Sequence, residues 1–306
     1  MDWEMKIVTI IVSHNGEEFI GKCLRSVLES SLHSDIIVVD NASADSTKEI
    51  IKTQFKNVSL VENESNLGFG AANNQGIRIS MERNADFIFL LNQDAEIETD
   101  TIEKLIRHAM KIPDIGILSP VHVDPLIQSP ERNFSNFTGI KSFGDVNNLL
   151  DTGNVLKYID FVNAAAWLLP KYSLESIGGF NPSFFHYGED SNYAARVRYH
   201  GLLCAVALDT VIYHSTANRL NNPFNSDKLY IYQKELTKKL SDPNTRYSIV
   251  SEILKRVLQI LYCLLTFDFK KMNYYKDLLK IMKNMDFKSI QTNRQISMQK
   301  GSSFLY

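Results

Sequence analysis

Cysteine is scarce in this chain, with three in 306 residues, at positions 23, 204 and 263. The odd number and wide spacing predict neither a disulfide framework nor a C-x-x-C zinc site, and they fit the reduced thiols of a cytoplasmic protein. Long apolar runs are missing too. The longest near the C-terminus, Val257 to Phe267, is interrupted by Gln259 and falls short of the ~20 residues a membrane span needs. No transmembrane helix is expected. The start, Met1-Asp2-Trp3-Glu4, is acidic and runs into a strand-like stretch, so no signal peptide is expected. Neither G-x-G-x-x-G nor a P-loop occurs, which argues against a dinucleotide hydride enzyme and a P-loop ATPase. With a net charge of −2, no global basic field draws in nucleic acid. Repeats and low-complexity tracts are also lacking.

What is present is ordinary for a globular protein: 44% hydrophobic and 22% charged residues. The charge is unevenly spread. Residues 1–220 hold 18 Lys and Arg against 28 Asp and Glu, whereas residues 221–306 hold 15 against 7. A first domain over 1–220 and a basic, mainly helical C-terminal segment over 221–306 are expected.

Strand and helix patterns alternate through the first half. Ile7–Val12 and Ile36–Val39 are β-branched runs suited to strands buried on both faces. Val58–Val61 and Phe87–Leu91 continue the series. Between them, Phe19, Ile20, Cys23, Leu24, Val27 and Leu28 recur at helical spacing. Helices are also expected from near Asp45, from Gly70 to about Arg83, and from Thr99 to about Lys111. This order predicts an α/β fold with a mostly parallel central sheet and helices on both faces. Residues 122–157 are Asn- and Ser-rich and read as a long loop excursion. Strands are expected over Phe161–Leu169, Leu203–Ala207 and Val211–His214. Short helices are expected over Lys171–Ile177 and from Gly188 to near Gly201, and helical structure from Asp227 to about Met285.

Ligands of parallel sheets bind beyond the carboxyl ends of the strands, so the polar residues there are the first candidates. Asn92 and Asp94 follow a wholly apolar strand and point the same way along an extended chain. An amide oxygen and a carboxylate suit a hard divalent cation shared with phosphate, and they suit a strand-end turn equally. Asp40 closes another buried strand, where its carboxylate suits a pyrimidine ring N–H, a ribose hydroxyl or a helix cap. In Asn66-Leu67-Gly68-Phe69-Gly70-Ala71-Ala72-Asn73-Asn74, small residues let backbone approach a ligand at a helix start. Glu189-Asp190 opens a helix after an aromatic cluster; adjacent helical residues diverge, so they do not bracket one bond. A carboxylate among aromatics has its pKa raised toward a general base's working range. His214 ends a β-branched strand, a place for a rim residue or a ligand.

Taken together, Ile10-Ile11-Val12-Ser13-His14-Asn15, Val38-Val39-Asp40-Asn41-Ala42-Ser43, Asn66 to Gly76, Leu90-Leu91-Asn92-Gln93-Asp94-Ala95, Gly178-Gly179-Phe180-Asn181, Gly188-Glu189-Asp190 and His214 resemble the family 2 glycosyltransferases of GT-A fold. The match is nearest their rhamnosyltransferase-like members in bacterial surface polysaccharide synthesis, and it covers roughly residues 6–216. The resemblance implies a nucleotide-diphospho-sugar donor and a saccharide or lipid-linked acceptor. It implies donor contacts from Ser13, Asn15, Asp40, Asn66, Gly68, Gly70, Asn73, Asn74 and Asn92. It implies Mn²⁺ or Mg²⁺ on Asp94 with His214 as a further ligand, and Asp190 as catalytic base beside Glu189. Asn92 stands where many relatives carry the first Asp of Asp-x-Asp, and Asn192 where they often carry another acid.

Two other readings stay open. A sugar-phosphate nucleotidyltransferase needs a basic Gly-rich loop after the first strand, whereas Ser13–Glu18 is acidic. A binding protein without turnover fits Asn92 and Asn192. In the basic segment, Ile253, Leu254, Val257, Leu258, Leu261 and Leu265 form one apolar helical stripe with lysines around it. Peripheral membrane contact through 250–285, at the inner face of the membrane, is one expectation. Packing on the catalytic domain or on a second copy in a homo-oligomer is the other.

Overall fold

In the computed structural model, residues 5–214 and 227–305 are described. Met1–Glu4 and the expected boundary at 220/221 lie outside the described residues. Three β–α steps and a fourth strand open the chain: β1 (Ile7–Ser13), α1 (Ile20–Leu28), β2 (Asp35–Asp40), α2 (Thr47–Gln54), β3 (Ser59–Glu62), α3 (Phe69–Glu82) and β4 (Phe87–Asn92). After β4 come β5 (Ala95–Ile97), α4 (Thr101–Ala109), β6 (Ile115–Asp124) and β7 (Ser129–Pro130). Next are α5 (Arg132–Thr138), α6 (Phe143–Asp151), β8 (Leu156–Ile159), β9 (Ala166–Pro170), α7 (Lys171–Ile177), α8 (Glu189–Tyr199) and β10 (Leu203–His214).

The sheet order is β3-β2-β1-β4-β9-β6-β10-β5, with β7 on β6 and β8 on β10. The half β3-β2-β1-β4 is parallel, as the β–α alternation predicts. Beyond β4 the sheet is mixed, because β9 runs antiparallel to both β4 and β6. Successive side chains of a strand face opposite ways, so β1 feeds two cores. Val8 and Ile10 pack with α3, α7 and α8 on one face. Ile7 and Ile11 pack with α1, α2 and α4 on the other. Helix α3 sits so close to β1 that a Cβ on Gly76 would lie 2.6 Å from Ile10 Cγ2.

Several expectations are corrected. The stretch 122–157 is not one loop: it holds the end of β6, then β7, α5 and α6. Helix α6 is started by a capping box in which Ser142 and Asp145 each satisfy the other's backbone, and Phe134 and Val146 are buried in the core. The expected strand from Phe161 begins only at Ala166. Leu203–His214 is one strand rather than two, with a register shift against β6 between Ala207 and Val211. The expected helical stretch is α9 (Lys228–Ser241), α10 (Ile249–Leu265) and α11 (Phe269–Asn284), and helical structure continues past Met285 as α12 (Phe287–Ser297). These helices share a small core around Leu236, Met282, Met285 and Ile290. The chain then returns to the α/β unit, where Gly179 N donates to Ser303 O at 2.7 Å. There the buried Arg196 guanidinium lies 4.9 Å from the Phe304 ring centroid.

Candidate active site

The tips of β1, β2 and β4 meet at one sheet edge. Asp40 is fully buried. Its carboxylate accepts from Ser13 Oγ at 2.9 Å and from Ser43 N at 2.9 Å, and also from Ser43 Oγ. It thus ties the β1 tip to the β2 tip. Asn15 has left-handed backbone, φ 46°; its N donates to Ser43 Oγ and its Oδ1 accepts from Ala44 N. Gln93 clamps the same loop from β4, accepting from His14 N at 3.0 Å and donating to His14 O at 3.1 Å.

The loop before α3 hangs from β2. Asn41 Nδ2 donates to Asn66 Oδ1 at 2.8 Å, and Asn66 Oδ1 also accepts from Gly68 N at 2.9 Å. Gly68 has φ 85°, and a Cβ there would sit 2.0 Å from Phe185 O, so only glycine fits. Gly70 lies against Phe180 and Glu189. Asn73 donates to Phe69 O within its own helix. Asn74 donates to Phe180 O and Phe304 O and accepts from Phe180 N. Both amides are thereby committed to backbone, which explains two poor helix formers inside α3.

Asn92, Asp94 and His214 come together although they are far apart in sequence. Strand β10 brings His214 to β5, with His214 paired to Ala95. His214 Nε2 lies 3.3 Å from Asp94 Oδ1 and 3.3 Å from Asn92 Nδ2. His214 Nδ1 lies 2.9 Å from Glu131 Oε2. A carboxylate only accepts, so Nδ1 carries a proton and Nε2 faces Asp94. The contact between Nε2 and Asp94 Oδ1 then calls for a positive charge, a proton or a metal ion. Adjacent ligands on an octahedral ion with bonds of about 2.1 Å lie ~3 Å apart, so Asp94 Oδ1 and His214 Nε2 stand at a spacing that suits two ligands of one divalent ion.

Glu131 and His122 were not expected at the site. Together with His214 they form a buried group whose candidate ligand atoms lie within 4.8 Å of one another. His122 Nε2 is 3.0 Å from Ser119 Oγ. The sequence signal for Glu131 is faint, since it lies inside the stretch taken for a loop.

Helix α8 supplies the other acids. Glu189 is 4% exposed. Burial, and then the charge of neighbouring Asp190, push its pKa up to about 8. Asp190 is half-buried, with Ser191 N donating to its Oδ1 at 2.7 Å. Burial raises its pKa, while the Ser191 N–H and the Lys238 charge oppose the rise. The segment before β9 links this helix to β4: Ala164 N–H faces Asp190, and Asn92 N donates to Ala165 O at 2.9 Å. Asn192 is buried and donates to Ser241 Oγ at 3.0 Å, fastening α8 to the end of α9. Tyr187, just before α8, has φ 63°, a conformation that costs a bulky residue ~1–3 kcal/mol and that clusters at functional sites.

Comparison with known proteins places the fold. The hexosyltransferase Agl10 of Haloferax volcanii, of low-salt glycan biosynthesis, is 28% identical over 62% of this chain and 60% of its own length. The O-antigen chain rhamnosyltransferase WbaN of Salmonella anatum is 29% identical over 60% of this chain and 56% of its own. The chain thus spans under two thirds of either relative. The mannosyltransferase PcManGT of Pyrobaculum calidifontis, solved with GDP-Man and Mn²⁺, superposes with a TM-score of 0.57 at 16% identity, over 97% of this chain and 74% of its own. At that identity the likeness concerns the GT-A fold. Residues 8–159 match Glycosyl transferase family 2, and through them the chain belongs to that family.

Proposed function

We propose that this chain is an inverting, metal-dependent glycosyltransferase that moves a sugar from a nucleotide-diphospho-sugar to a hydroxyl of a saccharide or lipid-linked acceptor in cell-surface polysaccharide synthesis. The observation that carries the reading is the convergence of Asp94, Asn92 and His214 at the sheet edge, with Asp190 joined to the same edge through Ala164 and Ala165. The names of the relatives, a hexosyltransferase and a rhamnosyltransferase, support sugar transfer.

In this reading the β1 and β2 tips, fixed by Ser13, Asp40 and Ser43, frame the nucleoside pocket with Asn15. Asn66, Gly68 and Gly70 shape the loop that lies along the donor. Asp94 and His214 would hold Mn²⁺ or Mg²⁺, which supplies charge neutralisation to a departing diphosphate. Asn92 puts an uncharged amide 3.3 Å from His214 Nε2, where a second carboxylate would add negative charge beside Asp94. Asp190 takes the acceptor proton as that oxygen bonds to the anomeric carbon and the carbon–phosphate-oxygen bond breaks. Such a base contributes roughly 10²–10⁴-fold. One displacement inverts the anomeric centre, so no second nucleophile is needed. Glu189, buried and protonated near neutrality, backs Asp190 rather than competing for the same proton.

The test is a screen of uridine, thymidine and guanosine diphosphates and their sugars, with and without Mn²⁺, by thermal shift and by release of nucleoside diphosphate. A donor that raises the melting temperature only with metal and is turned over supports the reading. Pyrophosphate release from a triphosphate would indicate a nucleotidyltransferase, and binding with no turnover a carbohydrate- or nucleotide-binding protein.

A further inference from the structure

Helix α10 is mounted the wrong way round for a helix that ends in water. Its charged pair faces inward. Glu252 is 7% exposed and pairs with Arg256, and it accepts from Tyr232 and Tyr247. Its apolar residues face out: Val250, Leu254, Leu258, Leu261 and Leu265 are all exposed, Leu265 to 80%. The turn into α11 adds Phe267, 77% exposed with φ 53°, and Phe269 beside it at 6.4 Å between ring centroids. A groove of about 840 Å³ runs between α10 and α11, with Leu254, Leu258 and Tyr262 on its walls and Lys255 and Lys271 at its rim. A monomer in water rarely leaves so continuous an apolar surface uncovered.

The charge around this face identifies what covers it. Lys255, Lys270, Lys276, Lys280 and Lys283 are exposed, and among the described residues none of the five forms an ion pair within 4.0 Å. Of the three acids between 250 and 285, Glu252 and Asp268 are already paired, with Arg256 and Lys271, which leaves Asp277 against the five lysines. A two-fold contact with a second copy would bring lysine rim against lysine rim, which like-charge repulsion opposes. An anionic lipid surface satisfies both features: apolar and aromatic side chains enter the acyl boundary while lysines meet the headgroups. No helix among the described residues is long and apolar enough to cross a membrane, so the contact lies in the interface plane.

We infer that α10, its turn and α11 form a docking surface for an anionic membrane, with the Leu265–Phe267–Phe269 tip as its insertion point. The inference concerns a surface apart from the transferase site and stands whether or not sugar transfer is confirmed.

The experiment is vesicle flotation of the full chain, with the oligomeric state read by light scattering. Vesicles of phosphatidylcholine alone are compared with equal parts phosphatidylcholine and phosphatidylglycerol. The expected result is recovery with the anionic vesicles only, weakening as salt rises. A triple variant, Lys270→Glu, Lys276→Glu and Lys280→Glu, should lower the partition coefficient at least ~10-fold, because each lysine near the surface contributes on the order of fivefold. Leu258→Asp with Leu265→Asp should abolish recovery while the far-ultraviolet spectrum and melting temperature hold. Absence of anionic-vesicle binding by the wild type, or equal binding to neutral vesicles, would overturn the inference. A stable dimer that the leucine variant dissociates would overturn it in favour of a second copy.

Discussion

Glu131 Oε2 lies 2.9 Å from His214 Nδ1, and both side chains are buried. The contact fixes which imidazole nitrogen faces Asp94, the relation by which carboxylates orient metal-binding histidines. Glu131→Ala should therefore raise the Mn²⁺ dissociation constant by about 10–100-fold, read by calorimetry or electron paramagnetic resonance. Glu131→Gln keeps an acceptor and should recover much of the loss. Equal Mn²⁺ affinity in wild type and a folded alanine variant would show that His214 needs no such partner.

Asp94 keeps 22% of its side chain exposed and lies 3.3 Å from His214 Nε2. Asp94→Ala removes the carboxylate half of the donor set. Nucleoside diphosphate affinity with Mn²⁺ should fall to the value measured without it, while the metal-free affinity stays. Calorimetry in both conditions distinguishes loss of the metal from loss of the nucleotide pocket.

Asp190 and Glu189 differ in what they should control. Asp190→Asn should abolish transfer with donor affinity nearly intact; wild-type turnover would remove it as the base. Glu189 enters through stability. Its pKa is raised on folding, to about 8, so the folded form binds more protons than the unfolded one above the ordinary carboxyl pKa. Its contribution is full below pH ~4.5 and is lost as pH rises toward 8. Glu189→Gln should flatten that fall in the denaturation midpoint between these limits. A wild-type profile that rises across the same window, unchanged in the variant, would contradict the raised pKa.

How far the sequence foretold this molecule depends on the reach of each signal. β1, β2 and β4 were legible because strands buried on both faces read as unbroken β-branched or apolar runs. α7 was legible from its span and the glycines after it. The polar residues at the strand tips followed from topology, since ligands of such sheets gather there. β6 was missed, and β7, α5 and α6 were taken for a loop, because their Asn- and Ser-rich sequence hides the Ser142–Asp145 capping box and short buried contacts. Glu131 was lost with them: its role depends on β10 delivering His214 from 83 positions away, a meeting that no local pattern encodes. The family resemblance implies Asn73 and Asn74 as donor contacts, and their amides bond protein backbone; a polar side chain turned to backbone looks the same in sequence as one turned to a ligand.

Asn192 carries the last expectation. In relatives an acid often stands at this position, so restoring it with Asn192→Asp invites the guess that activity would rise. The surroundings argue the reverse. Asn192 is 3% exposed and donates to Ser241 Oγ and Ser241 O. An aspartate has no N–H to give, so it would lose the bond to Ser241 O, could keep Ser241 Oγ only by drawing its hydroxyl proton away from Lys238 O, and would set a third carboxyl near Glu189 and Asp190. Leaving a buried group without its partner costs ~1–3 kcal/mol, and the added negative charge would push the Glu189 and Asp190 pKa values higher still. Chemical denaturation should show a loss of that order, greater at pH 8 than at pH 5, because the new acid ionises across that range. Transfer should fall or stay level, and a clear gain in turnover would show that this position still serves the acid its relatives use.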